Sequence, residues 1–113
     1  MNTVTIGIAS LEDAKRRFKA AMNGEPQGAF ISFSTQELLW KALTQKRWQI
    51  LNAMMGAGEL TIREVARRVD RDVKAVHGDV TALLNSGLLD KTDSGKVIFP
   101  YDAVHVDFML RAA

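Results

Sequence analysis

The sequence contains no cysteine. Disulfides, thiolate metal sites and a cysteine nucleophile are therefore excluded. Long apolar runs are also missing, and nothing approaches the roughly 18 residues that would span a bilayer, so no membrane partner is expected. The opening segment, MNTVTIGIAS, lacks the basic stretch and apolar core of a secretory signal, and a cytoplasmic protein is the expectation. There is no glycine-rich loop to cradle phosphates and no paired-carboxylate set. His77 and Asp79 are two apart, and on a helix such residues point in different directions. These absences argue against an enzyme, and no cofactor or metal is expected.

What is present is an uneven charge. The 113 residues carry a net charge of only +2. Residues 1–40 are balanced, and residues 75–113 are net acidic. Residues 41–74 hold eight Lys/Arg against four Asp/Glu. A local basic excess of this kind suits a polyanion, although a solvated helix face looks similar.

The hydrophobic pattern predicts an α+β fold in three segments. In residues 1–34, Val4, Ile6 and Ile8 alternate as in a strand. Ser10 and Asp13 resemble a capping pair, opening a helix with Leu11, Ala14, Phe18 and Met22 on one side. Asn23 to Pro26 breaks it, and Ala29–Phe33 reads as a short buried strand. Together they form a small N-terminal β-α-β unit. In residues 35–101, Ser34 to Glu37 repeats the capping pattern before a helix through Leu39 and Leu43. Thr44 opens a helix through Trp48, Ile50, Leu51 and Met54, stopped at Gly56-Ala57-Gly58. Thr61 and Glu64 have capping-box spacing, and Leu60 and Val65 stand at the staple positions. That short helix ends near Val69. Asp70 is the expected N-cap of the next helix, whose stripe is Val73, Val76, Val80, Leu83 and Leu84. Gly87 supplies a left-handed end. Asp93-Ser94-Gly95 between alternating runs marks a hairpin, and Pro100 closes its second strand. In residues 102–113, Val104, Val106, Phe108 and Leu110 alternate as a C-terminal strand.

Helix, short helix, tight turn, longer helix and hairpin are the parts of a winged helix-turn-helix. A helix can enter the major groove only if a second element holds it with one face exposed. The apolar stripe leaves Arg71, Lys74, Ala75, His77, Gly78 and Thr81 outward. Arg71 or Lys74 is suited to guanine O6 and N7. Arg63, Arg67 and the helix N-termini are suited to phosphates. Lys91 and Lys96 flank the hairpin tip and are suited to an adjacent backbone or minor groove. Lys46 and Arg47 are further phosphate candidates. His77 is read as a DNA contact in preference to a pH switch or a metal ligand, since no second ligand follows at i+3 or i+4. Asp79, which would repel phosphate if free, is expected to pair with a nearby arginine or to cap an element, holding the helix in place. Trp40 and Trp48 have the spacing of core or dimer-interface residues. Gly78 either allows close approach or has no role, and sequence does not decide between them.

The run from Thr61 to Asp102 resembles the MarR-like winged-helix regulators. It is most similar to a small family of DNA-binding proteins first named from haloarchaea. The resemblance rests on R-D-V-x-x-V-H-x-D-V at Arg71–Val80, G-L at Gly87-Leu88 and P-Y-D at Pro100–Asp102. It extends upstream to Phe33-Ser34, about two thirds of the chain. Gly78 departs from it, because relatives often carry a longer polar residue there. The resemblance implies a transcriptional regulator of double-stranded DNA, a repressor of its own operon. Alternatively it implies an antitoxin that also binds a toxin protein. A homodimer is expected, since one recognition helix buries too little surface for tight specific binding. Segments 1–34 and 102–113 are the candidate dimerisation elements.

Overall fold

In the computed structural model, which describes residues 2–8, 11–24 and 29–108, strand β1 (Thr3–Ile8) is the centre of a three-stranded sheet. Helix α1 (Leu11–Met22) leads to β2 (Ala29–Phe33), which pairs with β1 in parallel, Val4 opposite Ala29 and Ile8 opposite Phe33. The other edge of β1 takes β5 (Ala103–Asp107), also in parallel, with Val4 opposite Val104 and Gly7 opposite Asp107. Strands β1 and β2 of segment 1–34 and β5 of segment 102–113 thus lie in one sheet within the chain. Between β2 and β5 run helices α2 (Gln36–Ala42), α3 (Gln45–Met54), α4 (Ile62–Val69) and α5 (Val73–Ser86), then a short antiparallel hairpin of β3 (Asp90–Lys91) and β4 (Val97–Ile98). No helix among the described residues is long and apolar enough to cross a membrane.

The helix starts follow local chemistry. Thr44 and Thr61 cap α3 and α4, their hydroxyls accepting the Arg47 and Glu64 N–H groups at 3.3 and 3.1 Å. Three expected signals shift. The α2 cap is Thr35 rather than Ser34, because the chain leaves β2 at Phe33 and Thr35 is the residue whose extended backbone aims its hydroxyl at the Leu38 N–H. The capping box at Thr61 is half made, since the Glu64 carboxylate is drawn to Arg67 and Arg68. Asp70 does not cap α5. It ends α4 in the left-handed conformation at φ 55°, which Asp tolerates better than most residues. Asp72 caps α5 instead, accepting the Lys74 N–H at 3.1 Å. Gly87 ends α5 at φ 87° as expected.

One core runs from the sheet into the helices. Val4 and Ile6 are buried against Leu39 and Leu43 of α2, and the same cluster includes Ile50, Leu51 and Met54 of α3 and Val65 of α4. Val76, Val80 and Leu83 of α5 are 0–1% exposed, and burial of each is worth about 1.5–3 kcal/mol. Val73, expected on that stripe, is 43% exposed because it stands in the first turn of α5, ahead of the packed part. Leu88 and Leu89 leave α5 directly into the core. Other apolar side chains are less buried than expected. β2 is an edge strand, so its side chains are half-buried or exposed. Phe18 and Met22, on one side of α1, are 68% and 72% exposed, while α2 packs on the sheet. Trp40 is about half exposed and meets Phe108 edge to face at 5.6 Å. Ser10, Asp13 and Leu110 fall on residues or side chains outside those described.

Two tethers join the hairpin to the rest. Leu60, ahead of α4, exchanges both backbone hydrogen bonds with Val97 at 2.8 and 2.9 Å, adding a one-residue third strand to the hairpin. After the hairpin, Pro100 and Asp102 hold Asn2. The Asn2 amide donates to the Pro100 carbonyl at 2.8 Å, the Asn2 N–H donates to the Asp102 carboxylate at 2.9 Å, and the Asp102 N–H donates to the Asn2 carbonyl at 2.7 Å. These bonds bring β1 and β5 side by side. Gly7 permits the approach, because a Cβ there would lie 2.5 Å from the Asp107 carbonyl oxygen.

Candidate nucleic-acid interface

Helix α5 has two unlike sides. Val76, Val80 and Leu83 are buried, whereas Lys74, Ala75, His77, Gly78 and Thr81 are all exposed. Spacings of three and four residues place Lys74, His77, Gly78 and Thr81 together on one outward strip. Within it, the Thr81 hydroxyl donates to the His77 carbonyl at 2.8 Å, leaving its lone pairs as acceptors. The space beside Gly78 is empty, with nothing within 4 Å of a built Cβ. The Lys74 ammonium has no ion-pair partner among the described residues.

Arg71 does not join that strip. Its guanidinium meets the Asp79 carboxylate at 2.9 Å and keeps 18% of its side chain exposed. Asp79 shares its second oxygen with Arg47, Nε to Oδ1 at 3.0 Å. The same Arg47 reaches back through Nη1 to the Ala42 and Lys41 carbonyls at 2.9 and 3.3 Å. One acid therefore ties the end of α2, the start of α3, the α4–α5 turn and α5 together. Burial disfavours the charged form of Asp79, but the hydrogen bonds and charges of the two arginines outweigh it, holding the carboxyl below its ordinary range. The turn itself is closed by the Arg71 N–H donating to the Ala66 carbonyl at 3.0 Å. The pairing expected of Asp79 is present. The guanine contact expected of Arg71 and the phosphate contact expected of Arg47 are not available from these positions, because both guanidiniums are turned inward.

The other cations singled out from the sequence stand on α4, the hairpin and α3. Arg63, Arg67 and Arg68 are exposed on α4. Glu64 stands between the last two, bonding Arg67 and meeting Arg68 at 3.2 Å. Its carboxyl is lowered, first by the Arg67 hydrogen bond and then by that from Arg68. Arg67 still exposes 73% of its side chain, so the pair is a solvent-facing one. Lys91 and Lys96 are exposed on the hairpin, and Lys46 on α3. The N-terminal N–H groups considered for phosphate are already partly engaged by Thr44, Thr61 and Asp72.

The run Arg71–Val80, on which the resemblance rests, divides along the same lines. Arg71 and Asp79 are partners, Asp72 is a cap, and Val76 and Val80 are core. Residues 42–106 match the HVO_A0114 family. The chain belongs to that family. The matched segment begins at the last residue of α2 rather than at Phe33, and it takes in α3, α4, α5, the hairpin and most of β5. In this chain the matched span therefore covers the helix–hairpin unit, with its arginine–aspartate clasp, and most of one edge strand of the sheet. No curated protein and no solved structure was found to match the chain.

Proposed function

We propose that this member of the HVO_A0114 family is a sequence-specific regulator of transcription that binds double-stranded DNA. In this reading α3, α4, α5 and the β3–β4 hairpin act as a winged helix-turn-helix, and the chain represses its own operon. The observation that carries it is the two-sided α5, whose outward strip is exposed while Asp79, beside Gly78 in the sequence, is neutralised by two arginines. A reading helix needs a rigid seat and a free face together. Lys74, His77 and Thr81 are the side chains in this proposal that read base edges, with Ala75 and Gly78 offering close approach. Arg63 and Arg67 hold phosphates on one side, and Lys91 and Lys96 on the other. Arg71 positions α5.

A mobility-shift assay on the DNA upstream of the chain's own coding region tests this. The expected result is a discrete complex that survives excess unrelated duplex. Equal competition by unrelated duplex, or no complex, would remove the proposal.

A further inference from the structure

The sheet ends on one side at β5, whose outer edge pairs with nothing among the described residues. Its first half is half-buried, but His105, Val106 and Asp107 are exposed, and Val106 is 41% so. An exposed edge with apolar residues on it is a template for another strand. The sequence of β5 restricts what that strand can be.

We infer that β5 pairs antiparallel with β5 of a second copy, about a two-fold axis passing through Val106. A two-fold axis perpendicular to a sheet keeps each face on its own side, so it pairs residues of like parity. With the axis at Val106, Val106 lies opposite its own equivalent, and Val104 lies opposite Phe108. Both pairs fall on the sheet face that Val4 and Ile6 share with Val104 and Val106. On the other face His105 lies opposite Asp107, and Asp107 opposite His105, so two complementary pairs form. Moving the axis to His105 sets that residue against itself and leaves Asp107 facing Ala103. Moving it to Val104 sets Asp107 against Tyr101, ahead of the strand, and pairs Val106 with Asp102. Among these registers the Val106 axis alone matches polar with polar and apolar with apolar along the exposed half of the strand. Trp40, edge-on to Phe108 at 5.6 Å, extends the apolar face beside the seam. The product is one continuous six-stranded sheet, β2-β1-β5 joined to its two-fold copy. This assignment does not rest on the DNA reading.

Sedimentation velocity of the full chain without DNA tests it. The wild type is expected to sediment as a dimer at micromolar concentration. His105→Asp sets two like-charged pairs across the seam, and the dimer should weaken about tenfold or more. The double variant His105→Asp/Asp107→His reverses each pair and should restore it. Both positions are exposed, so circular dichroism should show the wild-type fold throughout. A wild-type monomer would overturn the inference. So would a dimer indifferent to His105→Asp, or a folded double variant that fails to recover.

Discussion

The guanidinium of Arg71 meets the carboxylate of Asp79 at 2.9 Å, across the turn that joins α4 to α5. Arg47 takes the other carboxylate oxygen at 3.0 Å. The orientation of α5 relative to α3 and α4 is therefore held by one acid between two bases, in addition to the valine stripe beneath it.

Asp79→Asn keeps the shape and removes the charge. Two largely buried cations would then lack their counter-ion, and a loss of about 2–4 kcal/mol at neutral pH is expected. The pH dependence has a definite sign. A carboxyl whose folded pKa lies below its unfolded value, about 3.9, stabilises the fold above that pH. The contribution is lost as pH falls through the folded pKa. Urea melts should show wild type and variant well separated at neutral pH and converging under acid. A separation independent of pH would deny the ion pairs their role.

Arg71→Ala and Lys74→Ala should separate positioning from reading. Arg71→Ala is expected to lower stability by about 1–3 kcal/mol, since it leaves Asp79 with one partner, and to weaken DNA binding for all sequences alike. Lys74→Ala should leave stability within about 0.5 kcal/mol. It should relax preference at one base pair by about 1–3 kcal/mol. Thermal melts and binding to a panel of single-base operator variants check both. The opposite pattern would return Arg71 to the reading face.

Gly78→Ala should stabilise the protein. Nothing surrounds the added methyl within 4 Å, and glycine inside a helix costs about 1 kcal/mol relative to alanine. A gain of about 0.5–1 kcal/mol in a denaturant melt is expected. A loss would mean that this face of α5 is covered in the free protein.

Gly7→Ala should do the reverse. Its Cβ would meet the Asp107 carbonyl at 2.5 Å and the Phe30 ring at 3.3 Å. Because the first contact is backbone, β5 must shift away from β1. A cost of about 1–3 kcal/mol is expected, with faster amide exchange along β5. Unchanged exchange there would show that the strand is not held as described.

Much of this was legible in the sequence because it is local. The threonine caps at Thr44 and Thr61, the left-handed Gly87 and the β-α-β unit all declare themselves within a few residues. The α5 stripe was readable at Val76, Val80 and Leu83, and failed at Val73, where tertiary cover runs out. What was not legible depends on distant partners. The inward turn of Arg71 and Arg47 follows from Asp79 lying between them, and charge counting treats such arginines as free cations. The motif carrying the resemblance gave no sign of this either, and in the fold its Arg71, Asp72, Val76, Asp79 and Val80 serve the seat of α5. Leu60 looked like a helix staple and is also a strand residue, because Val97 arrives opposite it from the hairpin. Neither Gly7 nor Asn2 gave any signal, since a close approach and a latch exist only once β5 is in place.

The claim that the strip on α5 and its surrounding lysines and arginines meet DNA is tested most directly by salt dependence. Affinity for the upstream duplex should be measured from about 50 to about 200 mM salt for the wild type and for Lys96→Ala. The logarithm of the binding constant is expected to fall steeply and linearly with the logarithm of salt concentration. The slope for Lys96→Ala should be smaller by about 1, one phosphate contact having been removed. A flat dependence, or identical slopes for the two proteins, would contradict the account.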